Sequence, residues 1–235
     1  MSTSDARTEL FRSSWSLYDT VIEANYMFHR EIESAVAGVM GRNILGFSLL
    51  DLGCGSARGL ATMLRTAPPR LYVGVDMSRP ALEQAAAELA GLPEVRLQEE
   101  DMLACVERFA REGQSFDWVH SAFALHHLGT ADKGRLFHAV ARVLAPGGSF
   151  ILVDVVRNAG QSLEEYLEMY LKTVDEKWLE LSLKQRQEVR EHVMAYDFPE
   201  TLTELTSLAL AAGFQEPHLL GKYGDHQVMH FRKSP

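Results

Sequence analysis

The chain has 235 residues, of which 46% are hydrophobic, and its 23 basic and 32 acidic side chains give a formal net charge of −9. This length suits one α/β domain with a core of its own, and the apolar fraction excludes a disordered chain. The net negative charge argues against a domain that binds a phosphate backbone by charge, and therefore against a nucleic acid as methyl acceptor or partner.

Two further features concern the cellular setting. The cysteines of the chain are Cys54 and Cys105, a usage typical of a reducing compartment. The first residues are polar, and no apolar run approaches the roughly 18 residues of a membrane span. We expect a cytoplasmic protein without a membrane segment, and the sequence leaves open whether it is a monomer or a homodimer.

The first periodic segment runs from about Ser13 to Val39 and predicts one amphipathic helix. Asn25 and His29 interrupt its apolar face. Either these are satisfied polar groups near a helix end, or the face covers a pocket and both side chains point into it.

From residue 47 onward, short β-like runs alternate with helical stretches. The predicted strands are 47–52, 71–75, 95–98, 116–121 and 149–156, and the predicted helices are 58–66, 79–90, 103–111 and 131–144. This alternation predicts βαβ units and a doubly wound, mostly parallel sheet with helices on both faces.

The alternation is interrupted between residues 157 and 199. An apolar stripe from Leu163 to Leu181 and a charged stretch, 184–192, predict two helices there. A connection of this length after a fifth strand is typical of a lid or a binding segment. The chain then continues with a predicted helix at 200–212, a strand at 214–220, a turn at 221–224 and a strand at 227–231.

The segment from Leu49 to Gly59 combines a buried strand with a glycine-rich turn into a helix. Gly53 and Gly55 allow a tight bend and a close approach to a ligand. A dinucleotide site would need a glycine where the chain has Arg58, and a phosphate-binding P-loop would end in G-K-[ST]. Asp51 also opposes bound phosphates, whereas its carboxylate can accept from an ammonium group.

Acids and histidines follow the next three strands. Asp76 ends the second strand, where a carboxylate can accept both hydroxyls of a ribose. Asp101 follows the third strand and can accept from an adenine amino group, and His126 and His127 follow the fourth. Because ligands of open α/β sheets bind at the carboxyl ends of strands, these side chains predict one site.

Five runs between Leu49 and Asp154 carry a resemblance: D-L-G-C-G-S-A, V-G-V-D-M-S, E-D-M, F-D-W-V-H-S-A-F-A-L-H-H-L and V-L-A-P-G-G-S-F-I-L-V-D. In this order and spacing they resemble the class I S-adenosylmethionine-dependent methyltransferases. The resemblance implies an α/β fold with a seven-stranded, mostly parallel sheet whose last strand, 227–231, is antiparallel. The chain departs from the family at Ala57, where a third glycine is common.

Within that fold we expect four parts. Residues 1–44 form an N-terminal helical roof, residues 45–156 a cofactor-binding core, residues 157–199 a helical substrate lid inserted after the fifth strand, and residues 200–235 the final helix and strands.

The resemblance also implies the cofactor S-adenosyl-L-methionine, with S-adenosyl-L-homocysteine as the product. The implied cofactor-binding residues are Asp51 near the amino group, Gly53 and Gly55 along the methionine part, Asp76 at the ribose, Met77 and Met102 beside the adenine, Asp101 at its amino group, and Ser121 through its backbone.

Methyl transfer is an in-line displacement, so the protein must align the acceptor and exclude water, and an oxygen acceptor must also lose its proton. The candidate catalytic residues are His126, His29, Tyr18 and Tyr196, and the candidate substrate-binding residues are Asn25, Asp154, Tyr166, Tyr170 and His192. Two alternatives stay open for these residues. Tyr166 and Tyr170 can be ordinary core residues, and one histidine of the pair 126–127 can contact the cofactor instead of acting in catalysis. We expect no metal, because the histidine pair lacks a Cys or Glu at a useful spacing.

We therefore expect methyl transfer to an oxygen or nitrogen atom of a small molecule. Two alternatives remain. One is a tRNA-modifying or cofactor-modifying enzyme of the same fold, and the other is a catalytically inactive, cofactor-binding regulatory module.

Overall fold

A computed structural model describes residues 15–41 and 46–233. Residues 1–14 and 42–45 of the predicted roof lie outside the described residues, as do 234–235. The helices are α1 (Trp15–Glu23), α2 (His29–Met40), α3 (Arg58–Thr66), α4 (Arg79–Glu88), α5 (Met102–Glu112), α6 (Thr130–Val143), α7 (Leu163–Lys177), α8 (Leu183–Tyr196) and α9 (Leu202–Ala211), with a 3-10 turn at Leu125–His127. The strands are β1 (Ser48–Leu52), β2 (Leu71–Asp76), β3 (Val95–Glu99), β4 (Phe116–Ala122), β5 (Leu144–Val155), β6 (His218–Tyr223) and β7 (His226–Arg232).

These strands form one seven-stranded sheet in the order β3-β2-β1-β4-β5-β7-β6. The pairings from β3 across to β5 are parallel, and β7 is antiparallel to both of its neighbours. The predicted fold class, a doubly wound and mostly parallel sheet with an antiparallel last strand, is confirmed. The strand order reverses between β1 and β4, and open α/β sheets bind ligands beyond the carboxyl ends at such a point.

Helices cover both faces of the sheet. On one face α5, α6 and α9 bury side chains such as Phe137 and Leu205. On the other face α2, α3 and α4 bury side chains such as Val36 and Leu64. β1 is buried along its whole length, as expected for a central strand of a doubly wound sheet.

The prediction of one continuous N-terminal helix is wrong, because the chain breaks between α1 and α2. Asn25 and Phe28 adopt left-handed backbone conformations with φ of 57° and 59°. Asn25 tolerates this conformation because its short side chain bonds locally. Its Oδ1 accepts from Arg30 N at 3.0 Å, and its Nδ2 donates to Glu31 Oε2 at 2.9 Å. The apolar periodicity continues through both helices and therefore hides the break.

The last hairpin is also displaced from its predicted position. β6 begins at His218 and runs through the predicted turn as far as Tyr223. The chain reverses at Gly224 instead, whose φ of 58° suits glycine. Gly221, the first residue of the predicted turn, lies at a register shift within the strand.

The insertion contains the two predicted helices, and each begins with a capping box. In α7 the pair is Ser162 and Glu165, and in α8 it is Ser182 and Gln185. In such a box the two side chains satisfy backbone N–H groups reciprocally, so the helix starts are defined locally. Among the described residues, the helices are too short or too polar to cross a lipid bilayer.

α1 and the insertion pack together beside the end of β5. They share an apolar cluster that includes Leu17, Val21 and Val155. Tyr26, just after α1, stacks on Trp178 with ring centroids 5.1 Å apart, and its hydroxyl accepts from Glu180 N at 2.8 Å.

Candidate active site

The turn after β1 brings the backbone to the carboxyl end of the sheet. Gly53 and Gly55 have φ of 71° and 51°, a region open to glycine. A Cβ at Gly53 would lie 2.5 Å from the Cβ of Ala124, whereas one at Gly55 would meet nothing within 4 Å. Gly53 is therefore required for packing, and open space lies in front of Gly55. Ala57 shares the left-handed conformation, with φ of 57°.

Asp76 is held at this turn by backbone amides. Its Oδ2 accepts from Gly55 N at 2.9 Å, and its Oδ1 accepts from Ser78 N at 2.8 Å. Burial raises the pKa of Asp76, and these hydrogen bonds oppose the rise. The loop after β1 and the end of β2 are thereby joined into one rigid unit.

A cleft opens at the ends of β1, β2 and β4, and we call it the strand-end cleft. Six of the predicted cofactor-binding residues line it, namely Gly53, Gly55, Asp76, Met77, Asp101 and Met102. Asp101 also caps α5, because its Oδ1 accepts from Ala104 N at 2.9 Å. These six residues thus bring two carboxylates and two flexible apolar side chains to the cleft.

The other two predicted cofactor residues lie deeper. Asp51 is buried and lines the inner part of the cleft. Its Oδ2 accepts from the Tyr72 hydroxyl, and its Oδ1 faces His120 Nδ1, both at 2.7 Å. The Ser121 hydroxyl donates to Leu52 O at 2.9 Å, which ties β4 to β1 just below the cleft.

A second space, which we call the histidine cavity, lies between α1, the insertion and the 3-10 turn. Its wall is largely apolar and includes Leu17, Val21, Tyr170, Trp178 and Val189. Its polar residues are His126, His127, His192 and Asp197. Three residues, Tyr18, Phe123 and His127, line both the strand-end cleft and the histidine cavity. The two spaces therefore share a wall.

Two carboxylates organise the polar end of the histidine cavity. His126 Nδ1 donates to Asp154 Oδ1 at 2.5 Å. Asp197 Oδ1 lies 3.3 Å from His127 Nδ1, 3.7 Å from His126 Nε2 and 3.8 Å from His192 Nε2. Burial opposes the charge on His126, but Asp154 and Asp197 outweigh it, so the pKa of His126 is raised. Burial lowers the pKa of His192 to about 4.

The structure gives the remaining predicted residues different surroundings. His29 lines the inner cleft and packs on Phe123, with ring centroids 4.8 Å apart, and burial lowers its pKa to about 4. Asn25 caps α2, as described above. Tyr166 stacks on Tyr170 at 5.9 Å, and the Tyr196 ring packs on His192 at 5.4 Å. The contacts of Asn25, Tyr166 and Tyr196 are thus with neighbouring protein groups.

Sequence reasoning placed His127 beside His126 at the predicted ligand end of the sheet, but it named neither Phe123 nor Asp197 as a site residue. Phe123 carries a weak signal, since it directly follows β4 at the predicted ligand end. Asp197 carries none, because its place next to the histidine pair depends on how the insertion folds back onto the sheet.

The strand order, the glycine turn after β1 and the acid at the end of β2 agree with the architecture that the resemblance to class I S-adenosylmethionine-dependent methyltransferases implies. Residues 49–148 match the family described as a methyltransferase domain. The recognition made from the sequence is thereby confirmed for residues 49–148, which match a methyltransferase domain.

Individual proteins agree with this assignment. An uncharacterised methyltransferase of Synechocystis sp. is 38% identical over 112 residues, covering 48% of this chain and 49% of that protein. The demethylmenaquinone methyltransferase of Lactococcus lactis is 28% identical over 210 residues, covering 88% of this chain and 81% of that protein. The structure of magnesium protoporphyrin IX methyltransferase from Synechocystis with bound S-adenosylhomocysteine superposes with a TM-score of 0.65 at 13% identity, covering 98% of this chain and 99% of that one. The chain spans half or less of the length of the first curated relatives it matches.

The strand-end cleft fits the family's cofactor, S-adenosylmethionine. The open space in front of Gly55 leaves room for a ligand against the backbone. Asp76 and Asp101 supply acceptors for hydroxyl and amino groups, and Met77 and Met102 supply apolar surface for a purine ring. The acidic character also suits a cofactor that carries a sulfonium charge.

Proposed function

We propose that this protein transfers the methyl group of S-adenosylmethionine to an oxygen or nitrogen atom of a small molecule bound in the histidine cavity. The observation that carries the proposal is the wall of Tyr18, Phe123 and His127, which borders both spaces. A cofactor in the cleft and an acceptor in the cavity would meet at this wall. In-line displacement requires such an approach.

The lining of the histidine cavity favours a small, largely apolar acceptor with one polar end. Tyr170 and Trp178 offer aromatic faces, and His126 and His127 offer hydrogen-bonding groups at the opposite end. One relative acts, by its name, on demethylmenaquinone. The net charge of −9 also favours a small molecule over a nucleic acid.

In this proposal each group near the wall has a task. When bound, the cofactor supplies an electrophilic methyl group. Asp76 holds the ribose end, and Gly53 and Gly55 hold the methionine end close to the backbone. His126 accepts a hydrogen bond or a proton from the acceptor at Nε2, because its Nδ1 proton is committed to Asp154.

The N-terminal helices and the insertion, residues 157–199, act as the cover over the acceptor. Their contact through Tyr26 and Trp178 supports this role, because a cover built from two chain segments excludes water only if they pack together. Excluding water protects an activated methyl donor from hydrolysis and strengthens electrostatic contacts inside the site.

The test is transfer of a tritiated methyl group from S-adenosylmethionine to a fractionated cell extract. We expect enzyme-dependent label in the small-molecule fraction and none in the RNA or protein fractions. Label confined to RNA or to protein would contradict the proposal.

Two variants distinguish label transferred by this protein from label transferred by a contaminating methyltransferase. Asp76→Ala protein at the same concentration is expected to lose the label, whereas Asp225→Asn, in the turn between β6 and β7, is expected to keep it. Equal label with Asp76→Ala would contradict the proposal, because the cleft would then not supply the donor.

A further inference from the structure

The histidine cavity contains a group of donor atoms that the methyl-transfer proposal uses only in part. Ligand atoms of His126, His127 and Asp197 all lie within 4.8 Å of one another. We propose that these three side chains form a binding site for a divalent transition metal ion of the zinc and iron(II) type, with an open coordination position toward the histidine cavity.

The distances around Asp197 fit a shared cation better than hydrogen bonds. Charge-assisted N–H···O bonds measure about 2.7–2.9 Å, whereas Asp197 Oδ1 lies 3.7 Å from His126 Nε2. His127 Nδ1 lies 3.2 Å from Tyr196 O, which can only accept, so this nitrogen carries the proton and Nε2 of His127 is the atom left to bind an ion. Ligands bonded to zinc at about 2.0–2.1 Å in a tetrahedron lie ~3.4 Å from each other. The 3.7 Å between Asp197 Oδ1 and His126 Nε2 lies within a few tenths of an ångström of that value.

The second carboxylate supports the same conclusion. Metal-bound histidines usually donate their other ring N–H to a carboxylate, which fixes the tautomer and the ring orientation. Asp154 accepts from His126 Nδ1 in this way at 2.5 Å. His126 Nε2 therefore carries its lone pair on the side that faces Asp197. Asp154 is a positioning residue in this arrangement.

The donor set and its surroundings select the class of ion. Two imidazole nitrogens and one carboxylate oxygen suit zinc, iron(II) or cobalt(II) more than magnesium or calcium, which prefer oxygen ligands. The three residues come from two segments about seventy positions apart, 126–127 and 197, so only the folded insertion completes the site. All three side chains line the histidine cavity.

Three protein ligands leave a position for an exogenous one, as in catalytic zinc sites. If the proposed function holds, the ion replaces His126 Nε2 as the group that activates the acceptor, because it binds the lone pair of that nitrogen. The open position then takes an oxygen atom of the acceptor, and the ion lowers the pKa of a hydroxyl bound there. Metal binding itself does not depend on that function.

The experiment titrates the full chain, purified without a histidine tag and stripped with a chelator, with Co²⁺ and then with Zn²⁺. Expected are one equivalent of Co²⁺ per chain, visible d–d absorption of a low-symmetry site, and its loss on adding Zn²⁺. Asp197→Asn and His126→Gln are expected to weaken binding at least tenfold, and Asp154→Asn about 10–100-fold. His218→Gln, on exposed β6, is the matched control and is expected to bind as the wild type.

Two results would overturn the site: no stoichiometric binding by folded wild-type protein, or wild-type affinity in both Asp197→Asn and His126→Gln. Circular dichroism checks that each variant is folded. S-adenosylhomocysteine is titrated into the same samples without metal. Cofactor binding with no metal binding would reject this site and leave methyl transfer standing, and the reverse outcome would reject methyl transfer alone.

Discussion

Gly53 shows how a single backbone position controls the strand-end cleft. Its φ of 71° is left-handed, and the space beside it is filled by Ala124. Gly113, at the end of α5, has nearly the same φ of 70° but open space around it. An alanine at Gly113 would therefore cost backbone strain alone, whereas an alanine at Gly53 would cost the same strain and a steric clash.

We predict that Gly113→Ala lowers the free energy of unfolding by about 1–2 kcal/mol, the cost of a left-handed alanine. Gly53→Ala is expected to lose more than this and to weaken binding of S-adenosylhomocysteine at least tenfold, because its Cβ displaces the turn. Denaturant unfolding and calorimetry measure the two quantities. Equal losses of stability with unchanged cofactor affinity would contradict the packing argument.

Asp76 supplies a prediction about pH. Burial raises its pKa, and the ionised carboxylate is the form that accepts hydroxyl hydrogen bonds. Affinity for S-adenosylhomocysteine should therefore fall with decreasing pH, starting at a higher pH than an ordinary aspartate would produce. Asp76→Asn should bind more weakly at neutral pH and show a flatter profile, whereas a parallel profile in calorimetry would exclude Asp76 as the titrating group.

The effect of Asp76 on the free energy of unfolding has the opposite pH dependence to its effect on cofactor affinity. A raised folded-state pKa contributes stability that is fully present below the unfolded pKa and is lost as pH rises through the folded pKa. Protonation of Asp76 at low pH therefore does not destabilise the fold, and unfolding caused by this residue cannot account for a loss of cofactor affinity.

The site residues differ in how much of their role is visible in the sequence. Asp76 ends β2 and Asp101 follows β3, so the order of strands and acids was sufficient to place both at the carboxyl edge of the sheet. Asp197 meets His126 and His127 only because the insertion folds back over the sheet. No local pattern encodes that contact.

At the scale of elements, strands and their helices were the most predictable part of the fold. β1 to β5 follow from short apolar runs bounded by turns, and periodicity located the helices between them. The break at Asn25 was missed because apolar spacing continues across it. The start of the last turn was predicted three residues too early, because Gly221 offered a turn signal as good as that of Gly224.

The contact between the N-terminal helices and the insertion gives a prediction at this scale. Tyr26→Ala removes both the stack on Trp178 and the hydrogen bond from Glu180 N. We expect faster amide hydrogen exchange in residues 178–183 with affinity for S-adenosylhomocysteine changed less than about twofold, since the cleft does not include Tyr26 among its described lining residues.

Tyr26→Phe is the matched variant, because it keeps the ring and loses only the hydroxyl. It should show a smaller increase in exchange. Identical exchange in Tyr26→Ala and the wild type would mean that the two segments do not depend on this contact.

For the whole molecule, buried histidines predict sensitivity to acid. His230 on β7 is 5% exposed and stacks on Trp118, and burial lowers its pKa to about 4. An unfolded histidine titrates near 6.5. The unfolded state therefore binds more protons between these values, and stability present above about pH 6.5 is lost as pH falls through about 4.

We predict that His230→Phe, which keeps an aromatic ring beside Trp118, loses less stability than the wild type between pH 7 and pH 5. The difference is of order 1–3 kcal/mol at most. Denaturant unfolding at the two pH values measures it. The same acid loss in both proteins would show that His230 is not protonated on unfolding in this range.

In the proposed function, the strand-end cleft binds the methyl donor at the wall that it shares with the histidine cavity. Calorimetric titration of S-adenosylhomocysteine into the wild-type chain, Asp76→Ala and Asp225→Asn at neutral pH tests it most directly. We predict one binding site per chain in the wild type and in Asp225→Asn, and at least tenfold weaker binding in Asp76→Ala. No binding by folded wild-type protein, or equal affinity in all three, would contradict it.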